Sequence, residues 1–378
     1  MLMQNFLVPK IRSVAFLVIV SSVVLSVFDA DLKAFAQDKA GQRAFNPYIE
    51  GALELEAQSD NLYKSDDKTA EISDTYGTAE LAVTAHLAPY FRVIGTFVVE
   101  PVLDPTDDRV FEDNGGYAEE IYASFTFNQI GINAGKYNPA FGIASDAAPG
   151  LYGDDFAGDY ELTERLGVAV TYEKSLTQFG DLNLMASLYK LDNTDLSRSV
   201  FTERGKTSVD DGGASNTEGL ESFALDAKFS NIMKSGIGFN VGFRQQAKGT
   251  GDVDDEQGFV AGVNGAYEFE NAKLEWMVEG ARLNNFNAGA TDVEIITAGM
   301  QVTLLERYTL AVTGANRKVD NPAADEYTDR MLQISAGMEI YEGWSVDIAH
   351  KWDRTDSTDN RTFGILFAKA FEFNSANK

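Results

Sequence analysis

From Asn46 onward the chain repeats one unit, a segment of about ten residues in which apolar and polar side chains alternate, followed by a turn. Gly51, Leu53, Leu55 and Ala57 alternate with Glu50, Ala52, Glu54 and Glu56; Ala79, Leu81, Val83 and Ala85 alternate with Thr78, Glu80, Ala82 and Thr84. Successive strand side chains point to opposite faces, so each segment reads as a strand with one apolar and one polar face. The same rhythm runs through to Phe363, Ile365, Phe367, Phe371 and Phe373, making sixteen segments. Short turns at 87–90, 128–129 and 341–343 are interspersed with long polar stretches at 59–74, 104–116 and 192–221.

One interval breaks the rhythm. After Ile130, Ile132 and Ala134, the chain from Lys136 to Arg165 is rich in Gly and Asp, and from Ile143 to Glu164 it has no period of two. Hairpin loops are short, and a connection this long is functional or disordered. Phe141, Leu151, Tyr152, Phe156 and Tyr160 make it too apolar for disorder. The expectation is a loop folded into the mouth of a β-barrel, where it narrows a water-filled pore.

Residues 1–36 read as a cleaved export signal. Lys10 and Arg12 precede an apolar run from Val14 to Phe28, and Ala34-Phe35-Ala36 before Gln37 fits a small-x-small cleavage site. A membrane anchor is the other reading, but the run is short for a span. Residues 37–378 then form a single domain. An exported chain with no later apolar run long enough for a helical span is either soluble or a barrel. A soluble sandwich would also show alternation. The even strand number, the pattern of short turns and long loops, and aromatics near segment ends (Tyr90, Phe91, Phe127, Tyr172, Tyr341 and Trp344) favour the barrel. Among β structures only a closed barrel satisfies every backbone group in lipid. The predicted fold is therefore all-β, a transmembrane antiparallel barrel of about sixteen strands.

The net charge of −27 argues against nucleic-acid binding, which needs a basic face. With no cysteine there is no thiolate chemistry and no disulfide. The two histidines, His86 on a polar set and His350 on an apolar one, lie far apart and lack metal-ligand spacing. No cofactor or metal is expected. An outer-membrane hydrolase would need a nucleophile beside a base, and no serine is placed persuasively near His86. Asp252-Val253-Asp254-Asp255-Glu256 and Asp66-Asp67 offer hard oxygen ligands, alone or as divalent bridges to lipopolysaccharide, but lack calcium-loop spacing. Simple solvation explains them as well.

Two stretches resemble a family. The last strand, Thr362-Phe363-Gly364-Ile365-Leu366-Phe367-Ala368-Lys369-Ala370-Phe371-Glu372-Phe373, is similar to the aromatic-ended terminal strand of Gram-negative porins, although five residues follow Phe373 here. Gly135-Lys136-Tyr137-Asn138-Pro139-Ala140-Phe141-Gly142 resembles the entry to the inserted third loop in several porin families, including phosphate-selective and siderophore porins. The resemblance implies a bacterial outer-membrane location, passive diffusion of small hydrophilic solutes, a homotrimer, contact with outer-membrane lipid and lipopolysaccharide, and recognition by the outer-membrane assembly machinery. It leaves open a dedicated channel, for example for siderophores, and a structural or adhesive barrel plugged by its loops.

The polar faces carry more acids than bases. The inserted loop holds Asp146, Asp154, Asp155, Asp159 and Glu161, with Lys136 and Arg165 at its ends. These seven residues are the predicted constriction. A carboxylate-lined narrowing attracts cations, whereas a phosphate channel would need Arg and Lys there. The bland alternative is that the acids are merely solvated.

Overall fold

The computed structural model describes residues 45–177 and 179–377; the predicted leader at 1–36 lies outside the described residues. Residues 47–378 form one unit. Its strands are β1 (Tyr48–Ser65), β2 (Ser73–Ala88), β3 (Phe91–Pro101), β4 (Arg109–Val110), β5 (Asn114–Phe127), β6 (Ile130–Tyr137), β7 (Arg165–Ser175), β8 (Asp181–Leu191), β9 (Val200–Phe201), β10 (Ser222–Ser230), β11 (Ile237–Gln246), β12 (Glu256–Phe269), β13 (Ala272–Asn284), β14 (Asp292–Leu304), β15 (Tyr308–Asp320), β16 (Tyr327–Tyr341), β17 (Trp344–Thr355) and β18 (Thr358–Asn374).

β4 and β9 are two-residue ladders within long loops. The other sixteen strands, the number the alternation predicts, form an antiparallel meander. β18 closes it by pairing with β1 from Glu50↔Asn374 to Ser65↔Asn360, with one bulge near Leu62. No barrel strand is left with an open edge, which is the condition for placing strands in hydrocarbon.

The apolar sets face outward. Leu55, Ile296, Leu310, Ile334 and Phe367 are all exposed, while Ser187, Asn240, Thr297, Thr313 and Gln333 are buried inside. The long connections gather at one end, together with the two-residue turn at 356–357 between β17 and β18, and the other end carries shorter turns. In barrels of this kind the long-loop end is extracellular.

The interior departs from a uniformly polar lumen. Met277, Ala281 and Leu283 on β13, Val293 and Ile295 on β14, Ala315 on β15 and Met331 on β16 make an apolar inner wall. The inserted loop covers it with Phe141, Ala144, Phe156, Tyr160 and Leu162, forming one buried cluster. Burying a side chain such as Phe or Leu contributes about 1.5–3 kcal/mol. This burial explains why a Gly- and Asp-rich segment of such length stays folded.

Candidate functional site

The loop leaves β6 and returns to β7 with its ends tied together. The Asn138 backbone N–H donates to Glu120 Oε1 at 2.9 Å, its side-chain amide donates to Glu119 Oε1 at 2.6 Å, and its Oδ1 accepts from Glu164 N at 2.8 Å. Beyond Gly142 the chain makes one helical turn, α1 (Ala144–Ala147). It has no side-chain cap of its own. Glu279, from the opposite wall on β13, fills that place. Its carboxylate accepts from Ile143 N at 2.8 Å, Ala144 N at 2.8 Å, Tyr160 Oη at 2.8 Å and Asn240 Nδ2 at 2.6 Å. A carboxylate at a helix start satisfies N–H groups that have no partner within the helix.

Further along, the Pro149 carbonyl accepts from Thr313 Oγ1 at 2.5 Å and Gln333 Nε2 at 2.8 Å. Tyr152 Oη donates to Asp60 Oδ1 at 2.5 Å, which reaches β1. Arg244 packs over the Phe141 ring at 4.5 Å, donates to the Tyr160 carbonyl and pairs with Glu256 at 2.7 Å. The loop is thus bonded along the wall formed by β11, β13, β15, β16, β17 and β1. Gly150 lies within this seat with φ +94°, and a Cβ there would run into the Gln333 amide. Gly150→Ala is therefore expected to lift the Pro149 carbonyl off its two donors, at about 1–3 kcal/mol. A lower midpoint of heat modification on gels would register it.

The structure divides the predicted loop acids into two groups. Asp155 pairs with Lys351 on β17 at 2.7 Å, and Asp159 pairs with Arg317 on β15 at 2.7 Å. Arg317 also holds the fully buried Asp329 at 2.7 Å and stacks on Phe156. These two acids dock the loop. Asp146, Asp154 and Glu161 are exposed, and among the described residues none has a cation within ion-pair distance. Although its surface is open to the lumen, Glu161 is crowded by surrounding protein that displaces part of its hydration; this, then the nearby carboxylates Asp146, Glu119 and Asp154, push it up to about 7. Partial loss of hydration also raises Asp154, with Asp146 adding to it.

Lys136 is buried at the root of the loop, 2.6 Å from Glu164, 2.9 Å from Asp192 and 3.0 Å from the Leu196 carbonyl. Arg204 joins it on Glu164 at 2.5 Å. Lys136 therefore ties the loop base to the 192–221 loop and does not face open water. Arg165 stands beside this cluster on a cavity of about 210 Å³ shared with Glu164, Ser197 and Arg204, its buried Nε without a partner among the described residues.

On the inner faces of β1 and β2, Glu54 and Glu80 are directly in register, with Glu56 two residues along. Like charges opposite one another on paired strands are destabilising. Toward the short-turn end the inner faces of β2, β3, β5, β6 and β7 enclose a polar cavity of about 380 Å³, bordered by Thr84, Arg92, Ser124, Asn133 and Glu173.

Two of the other carboxylates flagged by the sequence, Asp252 and Asp67, are occupied by the chain itself. Asp252 accepts from Gly213 N and Gly249 N, both at 2.8 Å, and Asp67 accepts from Thr69 N and Oγ1. His86 stacks on Tyr48 at 4.1 Å and meets Glu50 at 2.8 Å. His350 meets Tyr63 Oη at 2.7 Å on the outer face. The alternation of the sequence does not single out Glu279. Its signal was an acid between Met277 and Ala281 on an otherwise apolar inner face.

No protein-family model matches this sequence, and no curated protein sequence does. Solved structures do. The outer membrane channel DcaP of Acinetobacter baumannii superposes with a TM-score of 0.56 at 12% identity, over 88% of this chain and 100% of that one. OpdK of Pseudomonas aeruginosa with vanillate gives 0.53 at 12%, over 86% and 99%. A BenF-like porin from Pseudomonas fluorescens Pf-5 gives 0.51 at 9%, over 87% and 99%. At such identities the likeness speaks for the fold, and the fold is that of outer-membrane porins.

Proposed function

We propose that this barrel is an outer-membrane porin, a passive channel for small hydrophilic solutes that favours cations. The observation that carries the reading is the disposition of charge around the inserted loop. Asp146, Asp154 and Glu161 are left free, Glu119 on β5 lies near Glu161, and the inner faces of β1 and β2 add the cluster Glu54, Glu56 and Glu80. The cations Lys351 and Arg317 are spent on docking Asp155 and Asp159. A passage lined by an excess of carboxylates between low-dielectric walls concentrates the field and enriches cations. Screening shortens the reach of these charges to about 10 Å at 0.1 M salt, so the preference weakens as ionic strength rises.

The test is the refolded mature chain in a planar bilayer under a salt gradient. Discrete conductance steps with a cation-signed reversal potential are expected. Anion-signed potentials would overturn the selectivity, and an intact barrel with no conductance would make it a loop-plugged structural protein. Cell fractionation is expected to place the chain in the outer membrane as a heat-modifiable band; recovery from the soluble periplasmic fraction would refute the membrane assignment. By analogy with porins of this strand number we take the working unit to be a trimer. A detergent-corrected mass of a single chain would refute that.

A further inference from the structure

On three neighbouring strands the first outward position beyond the apolar set, toward the long-loop end, is arginine. On β16 it is Arg330 after Leu332, on β17 Arg354 after Trp352, and on β18 Arg361 after Phe363. Lys64 on β1 continues the row, in register with Arg361. Arg330 and Arg354 are directly opposite each other, so the row contains two like-charge cross-strand pairs. Such pairs are destabilising unless something anionic lies between them. Among the described residues one carboxylate comes within ion-pair distance of these four cations, Asp359 at 3.8 Å from Arg354. All four are exposed, on a chain whose net charge is −27.

Directly below the row the outer wall is hollow. Gly314 and Ala298 have almost no side chain, and with Leu332 and Trp352 they border a groove of about 580 Å³ that runs from the arginines into the apolar belt. Leu332 and Trp352 are 45% and 38% exposed. A cationic row above an apolar groove matches an amphiphile with an anionic head and an acyl tail. Arginine forks fit phosphate oxygens bidentately. Basic clusters at a membrane boundary are recognition sites for anionic headgroups.

We propose that this face binds a phosphorylated glycolipid of the outer leaflet, of the lipid A class, with its phosphates on Arg330, Arg354 and Arg361 and an acyl chain in the groove beside Leu332 and Trp352. The proposal rests on the outer-membrane reading, which bilayer conductance tests separately. The probe is purified bisphosphorylated lipid A, titrated into the full-length mature barrel in neutral detergent and read by native mass spectrometry, with phosphatidylcholine as the zwitterionic control. The wild type is expected to retain lipid A in preference to the control. R330Q/R354Q/R361Q is expected to bind lipid A roughly tenfold more weakly while folding and conducting normally. R282Q/K318Q, which alters outward cations already paired with Glu294 and Glu326, is expected to leave binding unchanged. Equal affinity in the triple variant would overturn the proposal, as would complete displacement of lipid A by millimolar inorganic phosphate, which would make the row a site for the free anion. Conduction without lipid A retention would overturn this site and leave the channel standing.

Discussion

Glu279→Ala is expected to unseat the inserted loop and raise the single-channel conductance, with frequent fluctuations between levels. The carboxylate is 1% exposed and accepts from two backbone N–H groups of the loop, one tyrosine hydroxyl and one asparagine amide. Truncation leaves these donors in a closed apolar setting, and each buried unsatisfied group costs about 1–3 kcal/mol. The barrel wall itself is held by strand pairing and does not depend on this side chain. Loop order and barrel stability should therefore separate: proteolysis within 143–164 should accelerate markedly while the heat-modified gel shift persists. Glu279→Gln keeps one oxygen acceptor and is expected to fall between the two. Unchanged conductance together with unchanged proteolysis in Glu279→Ala would remove Glu279 as the anchor.

The second large effect is a loss of cation preference on mild acidification. Ordinary Asp and Glu titrate near pH 4. Glu161 is pushed up to about 7 by partial loss of hydration against the surrounding protein and by Asp146, Glu119 and Asp154 around it, and Asp154 is raised in the same sense. As the pH falls through this range Glu161 takes up a proton and the passage loses negative charge. The reversal potential should decline between about pH 8 and pH 5, before the bulk of the carboxylates respond. The sign for stability is the opposite of a docking ion pair. A folded value above the unfolded one means the charged form is disfavoured by the fold, so protonation of Glu161 relieves a strain and does not loosen the loop. D146N/D154N/E161Q should lower the preference at neutral pH and flatten its pH dependence. A wild-type potential flat from pH 8 to pH 5, or a triple variant that titrates like the wild type, would exclude these side chains.

The strand frame was legible because alternation has a strict period and each apolar set must face lipid. Phe141, Tyr152, Phe156 and Tyr160 likewise marked the inserted loop as folded, and all four are buried. What could not be read was which loop acids are free. Asp155 and Asp159 lie 196 and 158 positions from the cations that hold them. That pairing depends on how the loop lies across the barrel, a geometry with no local sequence signal. The apolar inner wall was illegible for a related reason. Met277, Ala281 and Leu283 alternate with Trp276, Val278 and Gly280, so this stretch is apolar on both faces and its period does not show that one face meets the loop. Lys136 looked like a pore cation because it sits at the loop entry, yet it is consumed by Glu164 and Asp192.

The seam between β1 and β18 joins residues as far as 324 positions apart, such as Glu50 and Asn374. Every other strand in the barrel can pair with a chain neighbour as soon as both exist, but this one ladder cannot form until the whole meander is in place. Long-range closure is slow because the chain entropy is lost before the contacts reward it. Until then two strands present unpaired N–H and C=O groups flanked by a wide apolar wall, the configuration most prone to pairing with another chain. The time spent as an open sheet, more than the stability of the finished barrel, should set the yield of folded molecules. Substitutions at the β1–β18 register should show themselves first in refolding rate.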